Sequence, residues 1–401
     1  MKPQVCTRAS AGARAPAAWG GVFALSLGAF ALVASEFMPV SLLTPVASTL
    51  HVSEGQAGQA ISVSGAFALL TSLSVSSLAG KLDRKLLLAG LTLLMIVSAT
   101  IAAFAPGYTA FMVGRAFIGV AIGGFWSMSA ATAMRLVPED QVPKALAVVN
   151  GGNALATVVA APLGSFLGAV VGWRVAFFCI VPVAALALGW KLVSLPAMPA
   201  HAAPGAARRV NPFGLLKRAP VALGMAAVGL FFMGQFALFT YLRPFLEAVT
   251  HTTAATTSLL LLVIGIAGFV GTTLIGGLLK DKLYPTLVGI PLVMAAIGLA
   301  LLACGGSVAA TALLLGVWGL AGTSAPVGWW TWLARTLPDD AESGGGLIVA
   351  VVQLCIAGGA AIGGLLFDGL GYRATFGASA AILVLASGLA LLAGRAAGRA
   401  R

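Results

Sequence analysis

The sequence predicts an all-α integral membrane protein whose twelve transmembrane helices form two pseudo-symmetric six-helix halves. Three observations predict it. Of 401 residues, 60% are apolar and only 8% charged, against about 25% charged in a soluble domain. So little charge cannot coat a water-facing surface, and lipid must be the main solvent. Twelve apolar runs are long enough for the ~20 residues that a helix needs to cross the hydrocarbon. Finally, side chains half a chain length apart repeat along the whole sequence.

The twelve runs, spans 1 to 12, cover 19–43, 57–79, 86–105, 110–134, 145–168, 175–195, 220–243, 256–279, 286–304, 309–333, 345–367 and 375–393. Lys2, Arg8 and Arg14 before the first run give it the look of a secretory leader. The many runs that follow favour an uncleaved first span. One connection is long: 196–219 is rich in Pro and Ala and carries Arg208, Arg209, Lys217 and Arg218. It separates an N-terminal half (1–195) from a C-terminal half (220–401).

Charge orients the spans. With the N-terminus in the cytoplasm, 19 of the 23 Lys and Arg fall in cytoplasmic segments, Lys191 counted among them. Only Arg174, Arg243 and Arg373 fall outside, and Arg115 lies within a span. Basic residues collect on the cytoplasmic side, so both termini and the 196–219 connection are expected there. The net charge of +12 then reports topology, not a nucleic-acid partner.

The repeat is specific. Arg135 and Pro138 recur as Arg335 and Pro338; Gly172-Trp173-Arg174 with Phe177 recurs as Gly371-Tyr372-Arg373 with Phe376. Phe37 maps on Phe236, Pro45 on Pro244, and Asp83-Arg84 on Asp281-Lys282. Six plus six spans in parallel repeat is an arrangement in which two halves rock about a central site.

Other classes lack their chemistry. The sequence has no HExxH, GxSxG, paired intramembrane carboxylates or GxxxxGK[ST] loop. Its loops are too short for a sensor's soluble output domain. Cys6, Cys179, Cys304 and Cys355 form no CxxC pair, and His51, His201 and His251 lie in connections. No catalytic residue, cofactor, metal or nucleic acid is expected.

Polar side chains mark the interior. Spans 3, 6, 9 and 12 show no interior charge or amide, so every third helix reads as an outer one. Span 1 has Glu36, span 2 Gln59, span 4 Arg115, span 5 Asn150 and Asn153, span 7 Gln235 and span 11 Gln353. Such groups are costly in hydrocarbon and face a cavity or another helix. Glycines in spans 5, 8 and 11, among them Gly164, Gly268 and Gly359, suit close helix packing.

These features resemble the major facilitator superfamily over essentially the whole chain. Gly80-Lys81-Leu82-Asp83-Arg84-Lys85 resembles its cytoplasmic motif, shortened and without the Gly that follows the Asp-Arg pair. Gly114-Arg115 with Gly119 resembles the motif linked to proton coupling, and Ala161-Pro162-Leu163-Gly164 with Gly168 a degraded antiporter motif. More narrowly, the chain is similar to the drug and sugar:proton antiporter branch, and within it to the purine ribonucleoside efflux pumps. The stretches 36–45, 124–130, 134–140, 235–244 and 326–332 carry that likeness. The resemblance implies a proton-driven exporter in the bacterial inner membrane, with purine nucleosides such as inosine or guanosine as substrate. Sugar or drug efflux, or an importer on the same fold, is the alternative. A monomer is expected.

Glu36 and Arg115 are then the charges well inside the predicted spans. They lie ~25 and ~28 Å from the inner ends of spans 1 and 4 at 1.5 Å per residue, in helices that the resemblance makes neighbours. They read either as a proton-coupling pair, or as a permanent ion pair or an Arg held by backbone carbonyls. The repeat puts Gln235 opposite Glu36 and Leu314 or Leu315 opposite Arg115, which confines proton chemistry to the first half. Asp83 and Arg84, with repeat partner Asp281, read as a gating latch against a helix end, or as a solvated turn. Substrate candidates are Phe125, Trp126, Phe232, Gln235, Phe239 and Trp329. Trp126 follows Arg115 by 11 residues, three turns plus ~20°, and so shares its face. Phe232, Gln235 and Phe239 form a stripe on span 7. Core packing is the other reading for the stripe, and an interfacial anchor is the other reading for Trp329 and its neighbours on span 10.

The charge count makes a direct prediction. Reporter fusions at Pro204 and at Arg401 should both read cytoplasmic; an external reading at either would overturn the orientation.

Overall fold

In the computed structural model, residues 17–78, 82–198, 212–338 and 341–399 are described. Lys2, Cys6, Arg8, Arg14, Gly80, Lys81, His201, Arg208, Arg209 and Arg401 lie outside the described residues. Twelve helices are long and apolar enough to cross a membrane. They are span 1 (Trp19–Ser41), span 2 (Glu54–Val75), span 3 (Arg84–Phe104), span 4 (Tyr108–Leu136), span 5 (Lys144–Val170), span 6 (Trp173–Ser194), span 7 (Ala219–Ala248), span 8 (Ala254–Asp281), span 9 (Leu283–Cys304), span 10 (Val308–Thr336), span 11 (Gly344–Leu370) and span 12 (Tyr372–Gly398).

Most helices outrun their apolar runs by a few residues, because a helix keeps its backbone hydrogen bonds into the polar rim. Span 1 stops early. After Ser41 the chain turns at Leu42 into a short helix, Leu43–Leu50. Span 7 breaks in the same way at Thr240 and Tyr241, before Leu242–Ala248. Helix starts follow capping chemistry. Ser53 and Gln56 form a reciprocal capping box at 3.0 Å each. Asp83, Thr253 and Ser307 accept from the first turns of spans 3, 8 and 10.

The repeat is visible in the backbone itself. The short helix after span 1 and the short helix that ends span 7 correspond, and they are followed by His51 and His251, both at φ 54°. Gly172 and Gly371 occupy positive φ, 86° and 79°, at matching turns between the last two spans of each half. Only Gly adopts that conformation without a Cβ penalty.

Packing repeats as well. Span 1 packs on spans 5 and 6, span 2 on span 4, and span 3 on spans 4 and 6. Span 7 packs on spans 11 and 12, span 8 on span 10, and span 9 on spans 10 and 12. Span 2 with span 11 and span 5 with span 8 make the broadest contacts between the halves. Spans 3, 6, 9 and 12 pack within their own half, as outer helices should. At the seam, Gly265 of span 8 lies against the Val158 main chain of span 5. An added Cβ there would stand 2.6 Å from the Val158 carbonyl oxygen.

One sequence expectation fails. Span 6 does carry an interior charge: Lys191 is only 1% exposed. The charge count assigned it to the nearest helix end, but its side chain turns into the bundle instead of out to the rim.

The halves are joined at the end away from the termini. The Asp368 carboxylate, at the end of span 11, accepts from the Gly55 N–H at 2.9 Å and from the Ser53 hydroxyl, so it caps span 2 from the opposite half. Tyr241 of span 7 donates to Ala360 at 2.8 Å and faces Gly58 of span 2. Arg243 donates to the Ser41 carbonyl and pairs with Glu247 at 2.7 Å. An anion at a helix N-terminus satisfies orphan N–H groups and meets the positive end of the dipole. Asp368→Ala should therefore loosen this end, and amide hydrogen exchange at residues 53–58 should rise while exchange in the span 9 core stays unchanged.

Candidate functional site

The seam brings repeat-related residues face to face. Phe37 and Phe236 stack with ring centroids 5.8 Å apart and planes 25° apart. Their chain neighbours Glu36 and Gln235 thus flank the seam from either half. Phe232 and Phe239 pack into the same cluster, with Val40, Ile61 and Ile356. Beside it lies a cavity of about 80 Å³ between spans 5, 7, 8 and 10, lined among others by Phe37, Thr157, Gln235, Phe239, Trp318 and Thr323. The Gln235 carbonyl oxygen is buried and has no partner among the described residues. A buried unmatched acceptor costs free energy, and a donor brought by a solute would satisfy it.

Glu36 is 9% exposed. Its carboxylate interacts with Gln353 of span 11, across the seam. Arg115, 1% exposed, does not fork onto that carboxylate. It donates to the Ser35 carbonyl at 2.9 Å, to the Glu36 main-chain carbonyl at 3.3 Å and to the Ala60 carbonyl at 3.3 Å, with the Ser64 hydroxyl at 3.4 Å. The sequence explains the first bond. In span 1 the Ser35 carbonyl should accept from residue 39, but residue 39 is Pro and has no N–H. Arg115 supplies the missing donor, and its charge still acts on Glu36 through space. Of the readings open from sequence, the contacts match an Arg held by backbone carbonyls, which pins spans 1 and 2 beside Glu36.

The other candidates scatter. Phe125 is buried in the first half beneath Lys191, and Trp126 meets it edge-on at 5.5 Å, half-buried against that half's core. Trp329 is 2% exposed and packs edge-on against Trp332 in the second half's core. Asp83 caps span 3 through the Lys85 N–H at 2.7 Å and also accepts from the Met198 N–H at 3.0 Å, while the Arg84 N–H donates to Met198. This ties span 3 to the exit of span 6 in the same half. Asp281 ends span 8 exposed, and Arg335 caps that helix end through the Leu279 and Lys280 carbonyls.

Sequence reasoning missed Lys191, Gln353 as the partner of Glu36, and the Asp368 cap. The S-x-x-Q pattern at 53–56 signals the helix start that Asp368 binds, and Pro39 four residues after Ser35 signals a carbonyl in need of a donor.

Two pseudo-symmetric six-helix halves around a part-polar seam, with a buried carboxylate on it, define a polytopic solute transporter. The family model for the Major Facilitator Superfamily matches residues 25–359, and the chain belongs to that superfamily. It is 62% identical over 378 residues (94% of each chain) to a Pseudomonas aeruginosa protein named transcription regulatory protein OpdE. It is 40% identical over 367 residues (92% of each) to the purine ribonucleoside efflux pump NepI of Salmonella paratyphi B. Among solved structures, a bacterial homologue of the human lysosomal transporter Spinster, inward-facing and unoccupied, aligns with TM-score 0.75 at 15% identity, covering 96% of this chain and 98% of that one. The human organic anion transporter MFSD10 aligns with TM-score 0.66 at 16% identity, covering 94% and 100%. At such identities the likeness carries the fold alone.

The Pro39–Arg115 pairing has a measurable signature. Arg115→Leu should lower stability by about 1–3 kcal/mol, the cost of an unmatched buried carbonyl. Pro39→Leu, which copies Leu238 of the repeat, restores the helical N–H. The double variant should then lose less than the sum of the singles by at least ~0.5 kcal/mol in thermal unfolding. Simple additivity would refute the pairing.

Proposed function

We propose that the chain is a proton-coupled antiporter that exports purine nucleosides across the bacterial inner membrane, acting as a monomer with both termini in the cytoplasm. The observation that carries this reading is the asymmetric seam. Glu36 and Gln235 stand at repeat-related positions on either side of the Phe37–Phe236 stack, one able to hold a proton and one not. The likeness to the nucleoside pump, at 40% identity, supports the substrate.

In the proposed cycle a proton and the solute use the seam alternately. A protonated Glu36 is neutral and loses its charge-assisted contact with Gln353, which frees span 1 to move against span 11. A deprotonated Glu36 restores that contact. The nucleoside offers a flat ring to Phe239 and Trp318, and donor groups to Gln235 and Thr157. The halves close on it and rock about the seam. With the termini in the cytoplasm, the Asp368 cap lies on the outer side and holds that side shut. Asp83 and Arg84 act as a gating latch through the span 6 exit that they bind, and Asp281 marks the matching joint. Phe125, Trp126 and Trp329 back the helices that line the path.

A regulatory reading rests on one observation, the name of the Pseudomonas aeruginosa relative that shares 62% identity. A carrier that changes the cytoplasmic level of an inducing solute alters transcription without touching DNA, so this reading adds a consequence to transport.

The test is a binding titration of inosine, guanosine and arabinose on purified protein, followed by flux in proteoliposomes. Nucleosides should bind in preference to the sugar. Phe239→Ala should weaken them about tenfold, within the 1–3 kcal/mol of a base–aromatic stack. Glu36→Gln should keep binding but abolish accumulation driven by a proton gradient. A preference for arabinose would remove the nucleoside assignment, and full proton-driven flux in Glu36→Gln would remove the coupling role.

A further inference from the structure

Lys191 lies one turn from the end of span 6 that shares a side with the termini. A lysine so placed ordinarily runs its stem out to the nearest water. This one runs the other way. Its Nζ donates to the Thr92 hydroxyl at 2.7 Å and stands 5.2 Å over the Phe125 ring. Thr92 is eight residues into span 3 and Gly28 nine into span 1, so the amine reaches ~12–14 Å along its neighbours' axes, while its own Cα is only ~5 Å in.

The niche is cut for it. A Cβ at Gly28 would stand 2.5 Å from Nζ and 2.9 Å from Cε. Leu32, Leu91 and Met95 complete the apolar wall. The charged groups on the packed elements are distant in sequence and depth: Glu36 two turns along span 1 from Gly28, Arg84 and Lys85 two turns before Thr92 on span 3, and Arg174 at the far end of span 6. On span 4, which supplies Phe125, Arg115 and Arg135 lie nearly three turns to either side. Among the described residues no ion pair to Lys191 is formed. The repeat offers no counterpart: an offset of 199 turns Gly28, Thr92, Phe125 and Lys191 into Ala227, Pro291, Ser324 and Ala390. The niche thus shares with Glu36 its confinement to the first half.

We propose that Lys191 is a second proton-exchanging group of the carrier, serving the side of the termini as Glu36 serves the seam. The inference rests on the proton-coupled reading above. The step is a simple dissociation: in the state open to the side of the termini the Nζ ammonium gives one proton to water and becomes a neutral amine, and in the state open to the far side the amine takes one proton back from water that reaches the niche through the seam. The geometry permits both states. The Thr92 hydroxyl donates its own hydrogen to the Leu88 carbonyl at 2.7 Å, so its lone pair receives an N–H from ammonium and amine alike. A buried charge in hydrocarbon needs a partner, a cavity or the interface, and this niche gives one hydroxyl and a ring face. Span 1 links the two sites, because the Gly28 notch and Glu36 ride on the same helix ~12 Å apart. A shift of span 1 at the seam therefore opens or closes the niche.

The experiment counts protons exchanged per nucleoside in proteoliposomes and records efflux against pH on each side. Lys191→Met keeps the stem and removes the amine; it should bind nucleoside with wild-type affinity. Its proton count should fall to about half, since one of two exchanging groups is gone, and its rate should lose dependence on the pH of the cytoplasmic side. Gly28→Ala keeps the amine but fills its notch, and should displace the same limb of the pH profile. If Lys191→Met fails to fold, Gly28→Ala and Lys191→Gln decide the matter by the same readouts. A wild-type proton count and pH profile in the folded variants would overturn the Lys191 assignment alone. Absence of proton movement in the wild type would overturn the coupling reading from which it starts.

Discussion

The Ser35 carbonyl has no helical donor, because Pro39 stands four residues on. In hydrocarbon no water is available to make good that loss, and every backbone group must find a partner inside the protein. Arg115 is that partner. Its guanidinium reaches the main chain of spans 1 and 2 from span 4 and fixes three helices of the first half at one point. The residue after Ser35 is Glu36, so the repaired break also sets where the carboxylate meets span 11. A buried cation and a buried anion lie near one another here, yet the hydrogen bonds go to carbonyls. The carboxylate is left facing the opposite half, where movement can change its surroundings.

The two halves share a backbone and differ in chemistry. Positive-φ turns, broken first helices and packing pairs all recur in the register of the sequence repeat. The charged interior does not. Pro39, Arg115, Glu36 and Lys191 become Leu238, Leu314 or Leu315, Gln235 and Ala390. Pro39 and Arg115 disappear together, as expected if one exists to satisfy the break made by the other. A symmetric frame is what rocking requires, since each half must close on the other in two matching ways. In the proposed cycle, asymmetric chemistry lets a proton bias one of those ways over the other.

Much of the fold was legible because lipid imposes a one-dimensional code. A span must be apolar over its whole length, so its run can be read residue by residue, and the repeat supplied an independent register. The site was less legible, and the residues show why. Counting Lys191 by its nearest helix end ignores the direction of its side chain, which is set by the Gly28 notch on a helix at the other end of the same half. Helical spacing puts Trp126 on the face of Arg115, but could not say that Arg115 and Trp126 each meet the first half's own helices. Gln235 and Phe239 line the cavity beside the seam, and the signals in the sequence that single them out are the stripe they form on span 7 and the repeat match of Gln235 with Glu36. Asp368 was passed over because it lies at a span end, where a carboxylate costs little; its role appears only when the start of span 2 is placed beside it.

The seam explains why one helix matters more than its neighbours. Span 1 touches spans 5 and 6, bears Glu36 toward span 11, is held by Arg115 from span 4, and offers Gly28 to Lys191 from span 6. A rigid helix with four such attachments cannot move without disturbing each of them. The missing bond at Pro39 and the turn at Leu42 add a joint at the outer end, so the part beyond Ser35 can tilt further than the part around Gly28. On the opposite half, span 7 breaks at Thr240 and Tyr241 and carries Arg243, whose guanidinium reaches back to the Ser41 carbonyl at the end of span 1. The two broken helices thus meet at the same closed end, each terminating where the other begins its contact. Opening that end requires the Arg243 bond and the Asp368 cap to release together. In the proposed cycle the energy to release them comes from a change of protonation or from solute at the seam.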